Sequence, residues 1–317
     1  MSRNQVGSST IRLPDEIAEV LKQRELAARA KHRGIGILGA GPAGKSLATR
    51  FAELGVTVTL IDDKLARAQD ALHRIAASLN QRIDGEGVST APQGALLQRI
   101  QIGSGIERLR GQDLVIETIG LDNVERKVHA ESLQRLEGIV ERGTPIASVV
   151  NDARQAEELA VLAPDPSRVV PIHIMLPEFR LSVLQVVSAP QVSRDSLVKA
   201  TRLLTSFNLS VIGTPTRPCF VVDRLFVALV NEACLMLEQG QSDIEEIDRV
   251  LKIATVHNLG PLRIADLIGL DYLVKVADSL AETSGDSRYR PAPLLRSYVD
   301  SRLLGRRTGR GFYLYPM

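Results

Sequence analysis

The sequence predicts an α/β chain in which a doubly wound parallel sheet is followed by an all-helical C-terminal domain. Three observations predict it. Residues 34–62, GIGILGAGPAGKSLATRFAELGVTVTLID, carry strand, glycine turn, helix, strand and terminal acid in that order. From residue 65 to residue 213 short apolar runs alternate with helical patterns, as βα repeats on a parallel sheet require. Beyond Pro215 to Pro218 the strand signals stop and helical spacing takes over. The expected organisation is an N-terminal extension with a helix over 1–32, a sheet domain over 33–216 and a helical domain over 217–317.

Residues 1–10 are polar and read as disordered. Residues 13–31 read as a helix, with Pro14 suited to the first turn and Ile17, Val20, Leu21 and Leu26 on one side. The run Ile35 to Leu38 reads as a buried strand that breaks at Gly39. The sequence Gly39-Ala40-Gly41-Pro42-Ala43-Gly44 then fits G-x-G-x-x-G. Gly39 permits the tight turn, Gly41 lets a pyrophosphate approach the backbone, and Gly44 lets the helix pack closely on the strand. The phosphates would sit at a helix N-terminus, where free N–H groups and the macrodipole favour an anion. The following strand, Val56 to Ile61, ends in Asp62, placed to accept hydrogen bonds from the adenosine ribose. A charge there repels a 2′-phosphate, so the expected cofactor is NAD rather than NADP.

Leu65 to Leu79 reads as a helix and Asn80 to Gly94 as a loop, with Leu96 to Ile102 and Leu109 expected at the sheet edge. Asp113 to Ile119 and Pro145 to Val150 are continuous apolar runs, the pattern of strands covered on both faces. Helices are expected over Val124–Arg142, Asp152–Leu162 and Ser193–Phe207, and strands over Arg168–Ile174, Leu181–Ser188 and Asn208–Gly213. Ligands of such sheets lie at the C-terminal strand ends. Gly39, Asp62, Ile119, Val150 and His173 therefore share one expected rim. Downstream, Phe226, Val230, Ala233, Cys234 and Leu237 repeat at helical spacing.

Composition excludes other classes. A net charge of +2 over 317 residues lacks the excess of Lys and Arg of a nucleic-acid binder. Only 3% of residues are aromatic and Trp is absent, so base-stacking platforms are not expected. Two cysteines, Cys219 and Cys234, provide neither a disulfide framework nor metal-ligand spacing. No metal is expected, and Cys219 reads as a small packing residue. No apolar stretch approaches membrane-spanning length and no signal-peptide core is evident, so no membrane partner and a cytoplasmic setting are expected.

Several longer segments carry a resemblance. DLVIET (113–118), NEACLMLEQG (231–240), GPLRIADLIGLD (260–271), GDSRYRPAPLL (285–295) and LGRRTGRGFYLY (304–315) make the chain similar to the L-3-hydroxyacyl-CoA dehydrogenase family over roughly residues 34–315. The resemblance implies a Rossmann-like NAD domain, a helical dimerising domain, a cleft between them for an acyl thioester, and a homodimer. It assigns Gly39, Gly41, Pro42, Ala43 and Gly44 to the phosphate loop, with Ala43 where a Met is usual, and Asp62 to the ribose. Asp122 stands where a Glu is usual, and Lys127 matches a Lys near the nicotinamide ribose.

At the catalytic positions the chain departs from the family. The resemblance makes His173, in HIMLP, the acid/base that takes the hydroxyl proton while hydride leaves the same carbon. The family's Glu twelve residues later, which orients that His, is Gln185 here, and an amide adds no charge to support an imidazolium. The family's substrate-polarising Asn is Asp223, in PCFVVDR, and a family Ser aligns with Asn151 in SVVND. Two accounts compete. In one the carboxylate has moved, so that Asp223 orients His173 while Gln185 or Asn151 contacts a carbonyl. In the other the dyad is broken. The expected function is an NAD-dependent oxidoreductase interconverting a secondary alcohol and a ketone on an acyl thioester or related acid, CoA-linked or bound to a carrier protein and not a standard β-oxidation intermediate. The rival is an inert homologue that binds NAD or a partner, with the 13–31 helix as a docking element.

Overall fold

The computed structural model describes residues 34–80, 93–119, 126–174, 183–207, 209–216, 220–255 and 259–315. The expected 13–31 helix lies outside them, as do Asp122 and Cys219. Eight strands form one sheet in the order β3-β2-β1-β4-β5-β6-β7-β8. They are β1 (Ile35–Leu38), β2 (Val58–Ile61), β3 (Ile100–Gly103), β4 (Leu114–Glu117), β5 (Ile146–Val149), β6 (Val169–His173), β7 (Val183–Ser188) and β8 (Ser210–Pro215). The strands from β1 to β6 pair in parallel, so the chain ends of β1, β2, β4, β5 and β6 reach the common rim expected of them. Strands β1, β2, β4, β5 and β6 are buried along their whole length, because helices cover both faces.

Helices α1 (Pro42–Glu53), α2 (Leu65–Asn80), α3 (Gln93–Leu97), α4 (Arg126–Ile139), α5 (Ala153–Leu162) and α6 (Arg194–Ser206) belong to this layer. Three expectations change. Leu96 lies in α3 and Leu109 in a 3-10 turn, so only Ile100–Gly103 edges the sheet, although both leucines are fully buried. The last strand runs over Ser210–Pro215 rather than Asn208–Gly213. Strand β7 runs antiparallel to β6, since the link between them is too short for a crossover helix.

Pro171 sits inside β6, a position a ladder normally refuses. The Ile172 carbonyl accepts the Val150 N–H at 2.9 Å, which turns the Pro171 nitrogen to the opposite side. There β7 pairs only with Ile172 and His173. The proline therefore costs no rung, and His173 is fixed by β-pairing at the strand's last residue.

From Phe220 onward the described elements are helical: α7 (Val221–Glu238), α8 (Ile244–Ala254), α9 (Pro261–Ile268), α10 (Leu270–Ser284) and α11 (Pro293–Asp300). Phe226, Val227, Val230, Leu262, Leu273, Ala277 and Leu295 form part of their shared apolar core. Buried polar side chains set the register within it. Asn231 accepts the Ala292 N–H at 2.9 Å and donates to the Arg290 carbonyl at 2.7 Å. Asp248 accepts the N–H groups of Leu262 and Arg263, both at 2.8 Å, and so caps α9. Burial pushes the Cys234 thiol up to about 12, so it is a packing group and not a nucleophile. None of the described helices is long and apolar enough to cross a membrane.

Candidate active site

The phosphate loop is built by close approach. Gly39 has φ +107°, and a Cβ there would lie 2.4 Å from Thr118 Oγ1. That hydroxyl donates to the carbonyls of Leu38 and Gly39, at 3.0 and 3.2 Å, and ties β4 to the turn. A Cβ at Gly44 would lie 1.9 Å from the Gly39 carbonyl oxygen. Gly41 is the N-cap of α1, Pro42 opens it, and no side chain caps it. Its first N–H groups are therefore available to a pyrophosphate. Ala43 is buried where the helix meets the sheet.

Asp62 stands at the end of β2, nearly buried. One carboxylate oxygen accepts the Ala40 N–H at 3.1 Å and the other the Lys64 N–H at 3.3 Å. The acid is thus locked against the glycine turn, with lone pairs left for ribose hydroxyls. These features fit a dinucleotide. Lys127 is on the first turn of α4, largely exposed and 4.0 Å from Glu131, and is not gathered with the other candidates. We expect Asp62→Asn to weaken NADH binding on the order of tenfold, the loss of a hydrogen bond to a charged group, and to narrow the gap to NADPH. Parallel fluorescence titrations with both cofactors measure this, and an unchanged ratio would remove Asp62 from cofactor choice.

His173 and Asp223 meet. His173 closes β6, and Asp223 lies in the first turn of α7, which favours a carboxylate. His173 Nε2 is 2.7 Å from Asp223 Oδ2, with side-chain exposures of 0% and 2%. The contact lacks the alignment of a hydrogen bond, and neither carboxylate oxygen receives one among the described residues. It is a close polar contact, ionic when the imidazole is protonated. On the other side of the ring, Nδ1 lies 2.8 Å from the Val150 carbonyl. Phe220 stacks on the imidazole with centroids 4.1 Å apart and planes 20° from parallel.

Gln185 is the cross-strand neighbour of His173, yet its Oε1 accepts the Val221 N–H at 3.1 Å. It fastens the start of α7, and with it Asp223, to the sheet. Asn151 follows Val150, and its N–H donates to Gln155 Oε1 at 2.7 Å. The structure therefore brings together His173, Asp223 and Gln185 and sets Asn151 one residue from the carbonyl that holds the ring.

A buried polar cluster at the same rim escaped the sequence reading. Glu117, with no exposure, accepts from Ser148 Oγ at 2.6 Å, contacts His129 Nε2 at 3.0 Å and accepts the Ile119 N–H. Burial draws the His129 imidazole down, but the hydrogen bond and charge of Glu117, with Glu158 behind, outweigh it and leave its pKa raised. An acid inside the apolar run LVIE was the available signal, because a buried carboxylate must find partners.

Comparison with known proteins decides the family. Residues 34–215 match the family model for the 3-hydroxyacyl-CoA dehydrogenase NAD binding domain, and residues 220–315 match that for its C-terminal domain. The chain belongs to the 3-hydroxyacyl-CoA dehydrogenase family. Its cofactor is NAD, and the sheet domain is the Rossmann-like domain of that family. The chain is 31% identical over 284 residues to a 3-hydroxybutyryl-CoA dehydrogenase of Bradyrhizobium diazoefficiens, covering 89% of this chain and 94% of that one. It is 31% identical over 279 residues to a probable 3-hydroxybutyryl-CoA dehydrogenase of Bacillus subtilis, covering 88% and 96%. Among solved structures, an (S)-3-hydroxybutyryl-CoA dehydrogenase from Ralstonia eutropha superposes with a TM-score of 0.70 at 31% identity, over 90% of this chain and all of the other.

Proposed function

We propose that this family member interconverts a secondary alcohol and a ketone on an acyl thioester, using the buried His173–Asp223 pair as its acid–base centre. The 2.7 Å contact between the two carries the reading. It favours the account in which the carboxylate has moved from strand to helix, because charge and imidazole stay together in one pocket. Gln185 is spared from orienting the ring and instead anchors the helix that brings Asp223 in. Bound NAD supplies the hydride acceptor. The chain's own work is to hold the carbinol at the rim, exclude water from it and exchange its hydroxyl proton.

The substrate is a 3-hydroxyacyl or 3-oxoacyl thioester, linked to CoA or to a carrier protein. Mixing the protein and NADH with a panel of 3-oxoacyl thioesters, free and carrier-bound, should produce loss of NADH fluorescence with at least one of them. Consumption only of the carrier-bound forms would assign the carrier. No consumption of any thioester would leave the inert NAD-binding reading in place.

A further inference from the structure

We propose that the buried Ser148–Glu117–His129 cluster holds the glycine turn in its cofactor-binding form, with His129 as a positioning residue whose charge tunes NADH affinity. Glu117 is the last residue of β4, which pairs with β1, the strand that leads into the turn. Its oxygens reach in two directions. Oε1 accepts the N–H of Ile119, two residues on in the same chain. The side chain thereby bridges Thr118 and fixes its backbone. Thr118 in turn carries the glycine turn. Its N–H donates to the Leu38 carbonyl at 2.9 Å, and its hydroxyl to the carbonyls of Leu38 and Gly39, at 3.0 and 3.2 Å. Oε2 accepts the Ser148 hydroxyl from β5 at 2.6 Å and lies 3.0 Å from His129 Nε2 on α4. Contacts therefore run from His129 through Glu117 and Thr118 to Gly39, whose carbonyl oxygen lies against Gly44 of α1.

Of these three donors only His129 can bring positive charge to the carboxylate. Glu117 has no exposure, and a charged donor compensates a buried carboxylate better than a neutral one. Burial opposes the charge on His129. Glu117 from β4 and the half-buried Glu158 from α5 outweigh it and hold its pKa above the ordinary histidine value. Other charged groups on the elements packed around the ring are exposed: Arg154 and Glu157 on α5, Glu107 and Arg108 on the 3-10 turn, and Arg126, Lys127 and Glu131 on α4 itself. The imidazole keeps 11% exposure, so it exchanges its proton with solvent while the cluster stays closed. A raised pKa means that the charged pair is complete at pH 6 and is lost as pH rises through the folded value. A neutral imidazole leaves Glu117 with weaker donors, and Ile119, Thr118 and the turn are held less firmly. Protonation of His129 and binding of NADH then favour each other.

NADH fluorescence titrations of the full chain at pH 6, 7, 8 and 9 read this coupling. The wild-type Kd should rise on the order of tenfold from pH 6 to pH 9. H129Q keeps a neutral donor toward Glu117 but cannot gain charge. It should bind NADH at every pH about as the wild type does at pH 9, so that its profile is flat. A merely structural histidine would weaken binding equally at all pH values and leave the slope in place. A wild-type Kd that does not rise with pH overturns the proposal, and so does a wild-type slope retained in H129Q. Neither result touches the dehydrogenase reading, because NADH binding requires no turnover. Thermal melting at each pH reports on folding. If H129Q does not fold, an NMR titration of the wild-type His129 ring decides. Its pKa should be higher with NADH bound, by about one pH unit for a tenfold coupling, and an equal value with and without NADH overturns the proposal.

Discussion

Placing alanine at Gly44 should abolish NADH binding at concentrations that saturate the wild type. The added methyl would sit 1.9 Å from the Gly39 carbonyl oxygen and 3.0 Å from its carbon. Both atoms are backbone, and the turn they belong to is pinned from behind by Thr118. Neither the turn nor α1 can yield cheaply, so the helix must withdraw from the strand. Its first N–H groups then no longer converge with the turn on one pyrophosphate. Overpacking of this kind costs about 1–3 kcal/mol of stability, and the lost anion site adds to the effect on binding. Gly138→Ala is the control. It lies inside α4 with open space where its Cβ would go, and should be neutral or stabilising by about 0.5–1 kcal/mol. Fluorescence titration with NADH and thermal melting read both variants. Unchanged affinity in Gly44→Ala would mean that the close approach does not shape the cofactor site.

How much of this was legible in the sequence depended on whether the signal was local. The glycine turn, the acid after β2 and the apolar strands are local patterns with one structural solution, and they appear where expected. The rim followed from them, because parallel strands put their C-terminal ends on one side. Leu96 and Leu109 misled because burial alone does not distinguish a strand from a short helix or turn. The partner of His173 was a different kind of problem. Gln185 lies beside it in the sheet and Asp223 fifty residues on, and no periodicity could say which would turn toward the ring. That depended on where Gln185 spends its oxygen, on the Val221 N–H. Glu117 stood out as an acid in the run LVIE, but its partners Ser148 and His129 were illegible for the same reason, since they come from another strand and a helix that meet it only in three dimensions.

Replacing Asp266 with alanine should remove about 3–5 kcal/mol from the stability of the C-terminal helices, since each buried donor left without an acceptor costs about 1–3 kcal/mol. Asp266, on α9, is 1% exposed. It accepts the N–H groups of Phe312 and Tyr313 at 2.9 and 2.8 Å and the Tyr315 hydroxyl at 3.2 Å. The last turn of chain closes round this carboxylate so tightly that a Cβ at Gly311 would fall 1.9 Å from it. Burial pushes the Asp266 carboxyl up to about 6, against the pull of those three donors and of Arg263. A carboxyl raised in the folded state binds its proton more tightly there than in the unfolded chain. Its stabilising contribution is complete below the ordinary aspartate range and is lost as pH rises towards and through 6. The gap between wild type and Asp266→Ala should therefore be wider at low pH, by about 1 kcal/mol at pH 5 relative to pH 7. Urea denaturation of both proteins at the two pH values measures it. A gap that widens as pH rises would mean that the three donors, and not burial, govern this group, so that the C-terminal segment is held by an ionised carboxylate throughout.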